Sequence, residues 1–186
     1  MNLPNKLTVA RIILTPVYLA AMLMEFNYHY LVAAVIFIVA SITDFVDGKL
    51  ARKNNQITTF GKLCDPLADK MLTTAALLAF MDMGLCNIWI VMIVLTREFL
   101  VTSFRLVAAA QGVVIAANIW GKLKTVSQMV SSIGIMLAIH FVNAFSLDFA
   151  VFALISNILL GITAALTVIS GIIYIADGLK VIDFSK

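Results

Sequence analysis

Apolar runs long enough to form membrane helices alternate with brief polar breaks along the whole chain. The breaks are Glu25-Phe26-Asn27, Lys53-Asn54-Asn55-Gln56, Asp82-Met83-Gly84, Gln111-Gly112 and residues 143–148. Each gathers charged, amide or glycine residues that favour a turn over a helix interior. Between them the pattern predicts six helices, at 7–25, 30–53, 58–82, 87–111, 117–143 and 148–179. Each has the length, about 20 residues or more, needed to cross a hydrocarbon layer of roughly 30 Å. No repeat of fixed period and no low-complexity tract interrupts this plan.

The six differ in charge. Residues 125–147 and 149–176 contain no Asp, Glu, Lys or Arg, whereas the second helix is free of them only over 30–43, the third over 71–81 and the fourth over 83–96. These three therefore have one apolar half and one charged half. Hydrophobic residues make up 62% of the chain and charged residues only 12%. With a mean hydropathy of +1.05, this composition excludes an ordinary soluble domain. It leaves an all-α integral membrane protein with six transmembrane helices, one multi-pass domain over residues 1–186. The basic start (Lys6, Arg11) and the apolar run 12–24 have the makings of a signal peptide, but the membrane-like chain downstream makes this segment a first anchor.

Lys and Arg sit at the N-terminus (Lys6, Arg11), around the second turn (Lys49, Arg52, Lys53, Lys62), around the fourth (Arg105, Lys122, Lys124) and at the C-terminus (Lys180, Lys186). The turns near 25–29, 82–87 and 141–148 contain none. By the positive-inside rule both termini are cytoplasmic, in a cell (inner, cytoplasmic) membrane. The charged halves of helices two to four then line a polar active-site cavity open to the cytoplasm. The net charge of +3 reflects this bias, and no aromatic-basic motif points to a nucleic-acid partner. The same topology sets Cys64 and Cys86 on opposite faces, which argues against a disulfide between them.

The stretch "SITDFVDGKLARKNNQITTFGKLCDPLADK" holds Asp44, Asp47, Asp65 and Asp69, four of the ten acidic residues. Asp44, Asp47, Gly48 and Ala51 stand at i, i+3, i+4 and i+7, one face of helix two; Gly61, Asp65 and Asp69 stand at i, i+4 and i+8 on helix three. Counted from the charge-free ends of their helices, Asp44 and Asp69 fall at similar depth, roughly 20 Å in at 1.5 Å per residue. An antiparallel pairing of the two faces brings four carboxylates together. Four unpaired carboxylates cannot all stay ionised at membrane depth, and four negative charges match two divalent cations. Oxygen-only ligation favours Mg²⁺ or Mn²⁺, a pair that clamps phosphate or pyrophosphate for an in-line displacement. Gly48, Ala51 and Gly61 leave room for a ligand near the backbone. Two other readings of the acids are structural pairing with Lys49, Arg52, Lys62 and Lys70, and a cation transporter or channel that uses the cluster as its ion site.

The arrangement Asp44-x2-Asp47-Gly48-x2-Ala51-Arg52-x8-Gly61-x3-Asp65-x3-Asp69 resembles the signature of the CDP-alcohol phosphatidyltransferase family at every defining position. The resemblance implies a membrane enzyme that transfers a substituted phosphoryl group from a CDP-linked donor to an alcohol and releases CMP. It assigns Asp44, Asp47 and Asp65 to two divalent cations, with Asp69 as a further ligand and the general base. It places Gly48, Ala51, Arg52 and Gly61 along the CDP-diacylglycerol site, which Asn5 and Thr8 close unless they serve as helix caps. It also implies a homodimer. The stretches "MNLPNKLTVAR", "TREFLVTSFR" and "GKLKT" look like the branch that forms phosphatidylglycerophosphate, with CDP-diacylglycerol as donor and sn-glycerol 3-phosphate as acceptor. Inositol phosphate, serine or phosphatidylglycerol are the alternative acceptors.

An acceptor carrying its own phosphate needs a cationic pocket apart from the metals, for which Arg97, Arg105, Lys122 and Lys124 are candidates, with Thr43 beside Asp44 as a hydrogen-bonding partner and Glu98 as a partner for one of the cations. Arg105, Lys122 and Lys124 have a rival role at membrane-lipid headgroups. His29 and His140 fall at the far ends of their helices from the acids, and Gly134, Gly161 and Gly171 are expected at close helix contacts, within the chain or between copies.

Overall fold

A computed structural model describes residues 3–53, 59–112 and 118–179, with the side chains of 3, 4, 44–53, 59–63, 65, 66, 69 and 110 outside the description. The described residues form six helices: α1 (Leu3–Leu23), α2 (His29–Lys53), α3 (Thr59–Asp82), α4 (Ile88–Ala110), α5 (Ile119–Ala144) and α6 (Phe149–Leu179). All lie within a few residues of the predicted boundaries. The largest shift is at the N-terminus, where Pro4 occupies the first turn, a position at which its missing N–H costs nothing. Asn5 and Thr8 consequently lie inside α1.

Local chemistry explains the ends. Asn87 caps α4, its Oδ1 accepting the Trp89 N–H at 2.9 Å, and Asn118 caps α5, its Oδ1 accepting the Gly121 N–H at 2.7 Å. Gly84 and Gly112 adopt φ of +74° and +75°, left-handed turn conformations that suit glycine. Cross-helix bonds fix antiparallel hairpins: Arg11 Nε to the Ala40 carbonyl (3.3 Å) joins α1 to α2, Lys70 Nζ to the Glu98 carbonyl (3.2 Å) joins α3 to α4, and Ser127 Oγ to Thr163 Oγ1 (2.9 Å) joins α5 to α6. In space α1 packs on both α2 and α3, α4 lies along α6, and α5 reaches α2.

Every helix turns an apolar stretch inward at one end of the bundle. Tyr18, Met22, Phe37, Leu77, Phe80, Leu85, Val94, Ile135, Met136, Ile139 and Leu160 form this core. Ala33, Ala34, Ala75, Ala76 and Ala79 let the backbones of α2 and α3 approach their neighbours, the contact that stabilises helix packing where lipid supplies no hydrophobic drive. His140 of α5 meets the ring of Tyr28 in the α1–α2 turn, 5.6 Å between centroids, which closes the apolar end.

Towards the other end the inward residues become polar. On α1 the buried stripe runs Asn5, Thr8, Arg11, Thr15 before Tyr18; on α5 it runs Lys124, Gln128, Ser131 and Ser132 before Ile135; on α6 it ends in Thr163, Thr167 and Ser170. The sequence led us to expect the charged halves of α2, α3 and α4 as the lining, with Asn5 and Thr8 of α1 and Lys122 and Lys124 of α5 as further contributors. Single Asn, Thr, Ser and Gln residues leave mean hydropathy high, so the charge pattern missed the other polar residues of α1, α5 and α6. Among the described residues, three helical segments, Asn5–Leu23, Ile119–Ala144 and Phe149–Leu179, are long and apolar enough to cross a membrane, and the apolar part of α2, His29–Thr43, is shorter.

Candidate active site

The aspartates lie at the polar end, on α2 and α3. Both helices are continuous through them, so the spacings of Asp44 to Asp47 and of Asp65 to Asp69 are true helical spacings. Asp44, Asp47, Gly48, Ala51, Arg52, Gly61, Asp65 and Asp69 all have side chains outside the described residues. On the chemistry of the donor set, four carboxylates on two helices fit hard divalent cations.

Beside them stands the polar face of α1. Asn5, Thr8 and Arg11 are 7%, 0% and 1% exposed. Arg11, expected as a topology-setting surface cation, is instead held inside the bundle, its Nε donating to Ala40, one helical turn before Asp44. Thr43, the residue before Asp44, donates its hydroxyl to the Val39 carbonyl at 2.6 Å.

A second cluster centres on α4. Glu98 Oε1 accepts Lys124 Nζ at 2.6 Å and Arg97 Nη1 at 3.2 Å. The Glu98 backbone carbonyl accepts Lys70 Nζ and, at 2.7 Å, the Thr102 hydroxyl, which also accepts from Lys70. Lys70 immediately follows Asp69, so these bonds tie the aspartate-bearing stretch of α3 to α4. Lys124 and Arg97 thus share one carboxylate oxygen, and Lys70 from a third helix holds the backbone of the same residue.

Arg97 passes through a slot made by two glycines. A Cβ on Gly171 would come within 3.1 Å of Arg97 Cγ, and one on Gly121 within 3.5 Å of Arg97 Nη2. Its stem forms part of the wall of an apolar groove of about 380 Å³ between α4 and α6, lined by Trp89, Ile93, Val168 and Ile172 among others. The guanidinium points the other way, into the Glu98 cluster, and its Nε is buried without a partner among the described residues. The glycines expected at helix contacts therefore divide: Gly171 makes room for Arg97, while nothing lies within 4 Å of a Cβ on Gly134 or Gly161.

The remaining acceptor-site candidates stand apart. Lys124 is buried, whereas Lys122, two residues away and so on another face, is exposed. Arg105 lies eight residues beyond Arg97 on α4, about 12 Å along the axis, where Tyr174 accepts its Nε–H at 3.1 Å and offers its ring at 5.4 Å. Cys64 and Cys86 are both free thiols.

Residues 1–176 match the profile of the CDP-alcohol phosphatidyltransferase family. The chain belongs to this family. A Bacillus subtilis protein named CDP-diacylglycerol–glycerol-3-phosphate 3-phosphatidyltransferase is 45% identical over 148 residues, which cover 73% of this chain and 77% of that one. Proteins of the same name from Rickettsia bellii and Pseudomonas fluorescens are 36% identical over 173 residues (93% of each chain) and 34% identical over 138 residues (70% of each). A CDP-alcohol phosphatidyltransferase with three helices of spanning length is a membrane protein, and divalent-cation dependence is general in this family.

Sequence reasoning did not single out Arg11 as a buried group, Lys70 and Thr102 as partners of Glu98, or Gly171 as the slot for Arg97. A signal existed for the first, since Asn5, Thr8, Arg11 and Thr15 recur at helical spacing in an otherwise apolar segment. The others depend on which helices become neighbours.

Proposed function

We propose that this chain transfers the phosphatidyl group of CDP-diacylglycerol to sn-glycerol 3-phosphate, giving phosphatidylglycerophosphate and CMP. The observation that carries the choice of a phosphorylated acceptor is the Glu98 cluster, where Arg97 and Lys124 bring two positive charges to one carboxylate. The names of the Bacillus and Rickettsia relatives support the same donor and acceptor.

In this reading Asp44, Asp47, Asp65 and Asp69 hold two divalent cations, Mg²⁺ or Mn²⁺. When bound, these supply charge compensation for the pyrophosphate of the donor. Gly48, Ala51, Arg52 and Gly61, with Asn5 and Thr8, receive the cytidine diphosphate, Arg52 through its planar donors. Arg97 and Lys124 bind the acceptor's phosphate, with Thr43 available to its hydroxyls. Asp69 takes the proton of the acceptor's primary hydroxyl as that oxygen attacks the phosphorus bearing diacylglycerol. The bond from that phosphorus to the CMP phosphate breaks, and CMP leaves. Lys122 and Arg105 serve the approach of anionic substrate and lipid headgroups.

Six spans, cytoplasmic termini, a catalytic end facing the cytoplasm from the cell's inner membrane, one domain over 1–186 and a homodimer complete the proposal. The distribution of Lys and Arg supports the orientation. CMP release from CDP-diacylglycerol by detergent-purified protein, with Mg²⁺ or Mn²⁺ and a panel of acceptors, tests it. Release is expected with glycerol 3-phosphate, to vanish with EDTA, and to fall by about 10²–10⁴ in Asp69→Asn, the range for loss of a general base. Release with inositol phosphate or serine in preference would reject the acceptor assignment.

A further inference from the structure

Glu98 has the wrong sign for a site that binds phosphate, yet it sits at the centre of the cations proposed to bind one. Its carboxylate is shared by Lys124 and Arg97 through a single oxygen, at 2.6 and 3.2 Å. Lys124 has a side chain only 4% exposed, and without Glu98 its ammonium would lose the carboxylate that fixes its direction. Arg97 is gripped at its stem by Gly171, but its guanidinium has one carboxylate partner, and its Nε remains buried with none among the described residues. Lys124 and Arg97 together carry one positive charge more than the carboxylate they share, the sign needed against the −1.5 to −2 or so carried by a phosphate monoester at neutral pH.

We infer that Glu98 is a positioning residue for the acceptor. It holds Lys124 and Arg97 aimed into a common pocket, where Arg97 Nε and the remaining Lys124 N–H groups meet the phosphate of glycerol 3-phosphate. Glu98 touches neither substrate; it acts through the two cations. Without it the cluster becomes more positive and yet binds phosphate less well, because geometry is lost. That sign separates positioning from a bulk electrostatic effect, in which removing a negative charge strengthens anion binding. The inference rests on the proposed function, since it presupposes a phosphorylated acceptor.

Steady-state kinetics of purified full-length protein test it, with glycerol 3-phosphate and CDP-diacylglycerol varied separately. Glu98→Gln is expected to raise the KM for glycerol 3-phosphate about tenfold or more, the scale of one hydrogen bond to a charged group. The KM for CDP-diacylglycerol should stay unchanged and kcat at saturating acceptor within about threefold, while Glu98→Asp, which restores the charge, recovers most of the loss. An acceptor KM that is unchanged or lowered in Glu98→Gln overturns the inference, as does an equal loss on both substrates. Should Glu98→Gln fail to fold, the double variant Glu98→Gln/Lys124→Met, which leaves no lone buried ammonium, is compared with Lys124→Met. A further rise in acceptor KM through the loosened Arg97 is expected there, and no further rise overturns the inference. Wild-type protein that ignores glycerol 3-phosphate but accepts an unphosphorylated alcohol overturns the proposed function and this inference together.

Discussion

Lys122 and Lys124 are two residues apart on α5 and meet opposite surroundings, one exposed and one buried against Glu98. Lys124→Ala is expected to impair use of glycerol 3-phosphate and to lower stability by about 1.5–3 kcal/mol, the value of a hydrogen bond to a charged group, because Glu98 loses its nearest partner and keeps Arg97. Lys122→Ala should change acceptor KM by less than about threefold, as exposed charges do. Comparable losses in the two would contradict the assignment. The sequence could not rank these lysines, because the face each takes depends on how α5 is rotated against α4. The four aspartates were legible as a group because charge at membrane depth demands a reason wherever its helix points. At Cys86, in the turn between α3 and α4, burial pushes the thiol up to about 11. Since the thiolate is the reactive form, alkylation of Cys86 in a Cys64→Ser background should be slow at pH 8 and quicken as pH rises towards 11. Rapid labelling at pH 8 would show the turn to be open.

At the scale of elements, α1 does more than anchor the chain. Its buried stripe passes from Asn5, Thr8, Arg11 and Thr15 to Tyr18 and Met22, so one helix joins the polar end to the apolar core. Arg11→Met keeps most of the stem's volume but removes the bond to Ala40. It should cost about 1.5–3 kcal/mol, the value of a hydrogen bond to a charged group, read as a lowered melting temperature in detergent. An unchanged melting temperature would mean that Arg11 contributes nothing there. The glycines offer a contrast within α5 and α6. Gly134→Ala and Gly161→Ala place a methyl in open space and should raise stability by about 0.5–1 kcal/mol through better helix propensity. Gly171→Ala must displace Arg97 and should raise the acceptor KM. Helix number and limits were legible because breaks in apolar periodicity are local. Which glycine faces a neighbour was not, since that follows from the packing of α4 along α6, residues far apart in sequence.

Over the whole molecule the bundle is polarised. Apolar side chains fill one end, and at the other all six helices bring polar or charged residues into the same region. That division suits an enzyme drawing one substrate from the bilayer and the other from water, with the ionic groups kept where water can reach them. A pathway for ions would need a line of polar groups through both ends; among the described residues the apolar end is filled by Phe37, Leu77, Phe80, Ile135 and Met136, with the Tyr18 and Ser156 hydroxyls as isolated buried polar groups. The most direct measurement is transfer of label from glycerol 3-phosphate into lipid by the purified protein supplied with CDP-diacylglycerol and Mg²⁺, with CMP counted in parallel. One phosphatidylglycerophosphate is expected for each CMP released. CMP release without labelled lipid, or no release with any acceptor, would contradict it.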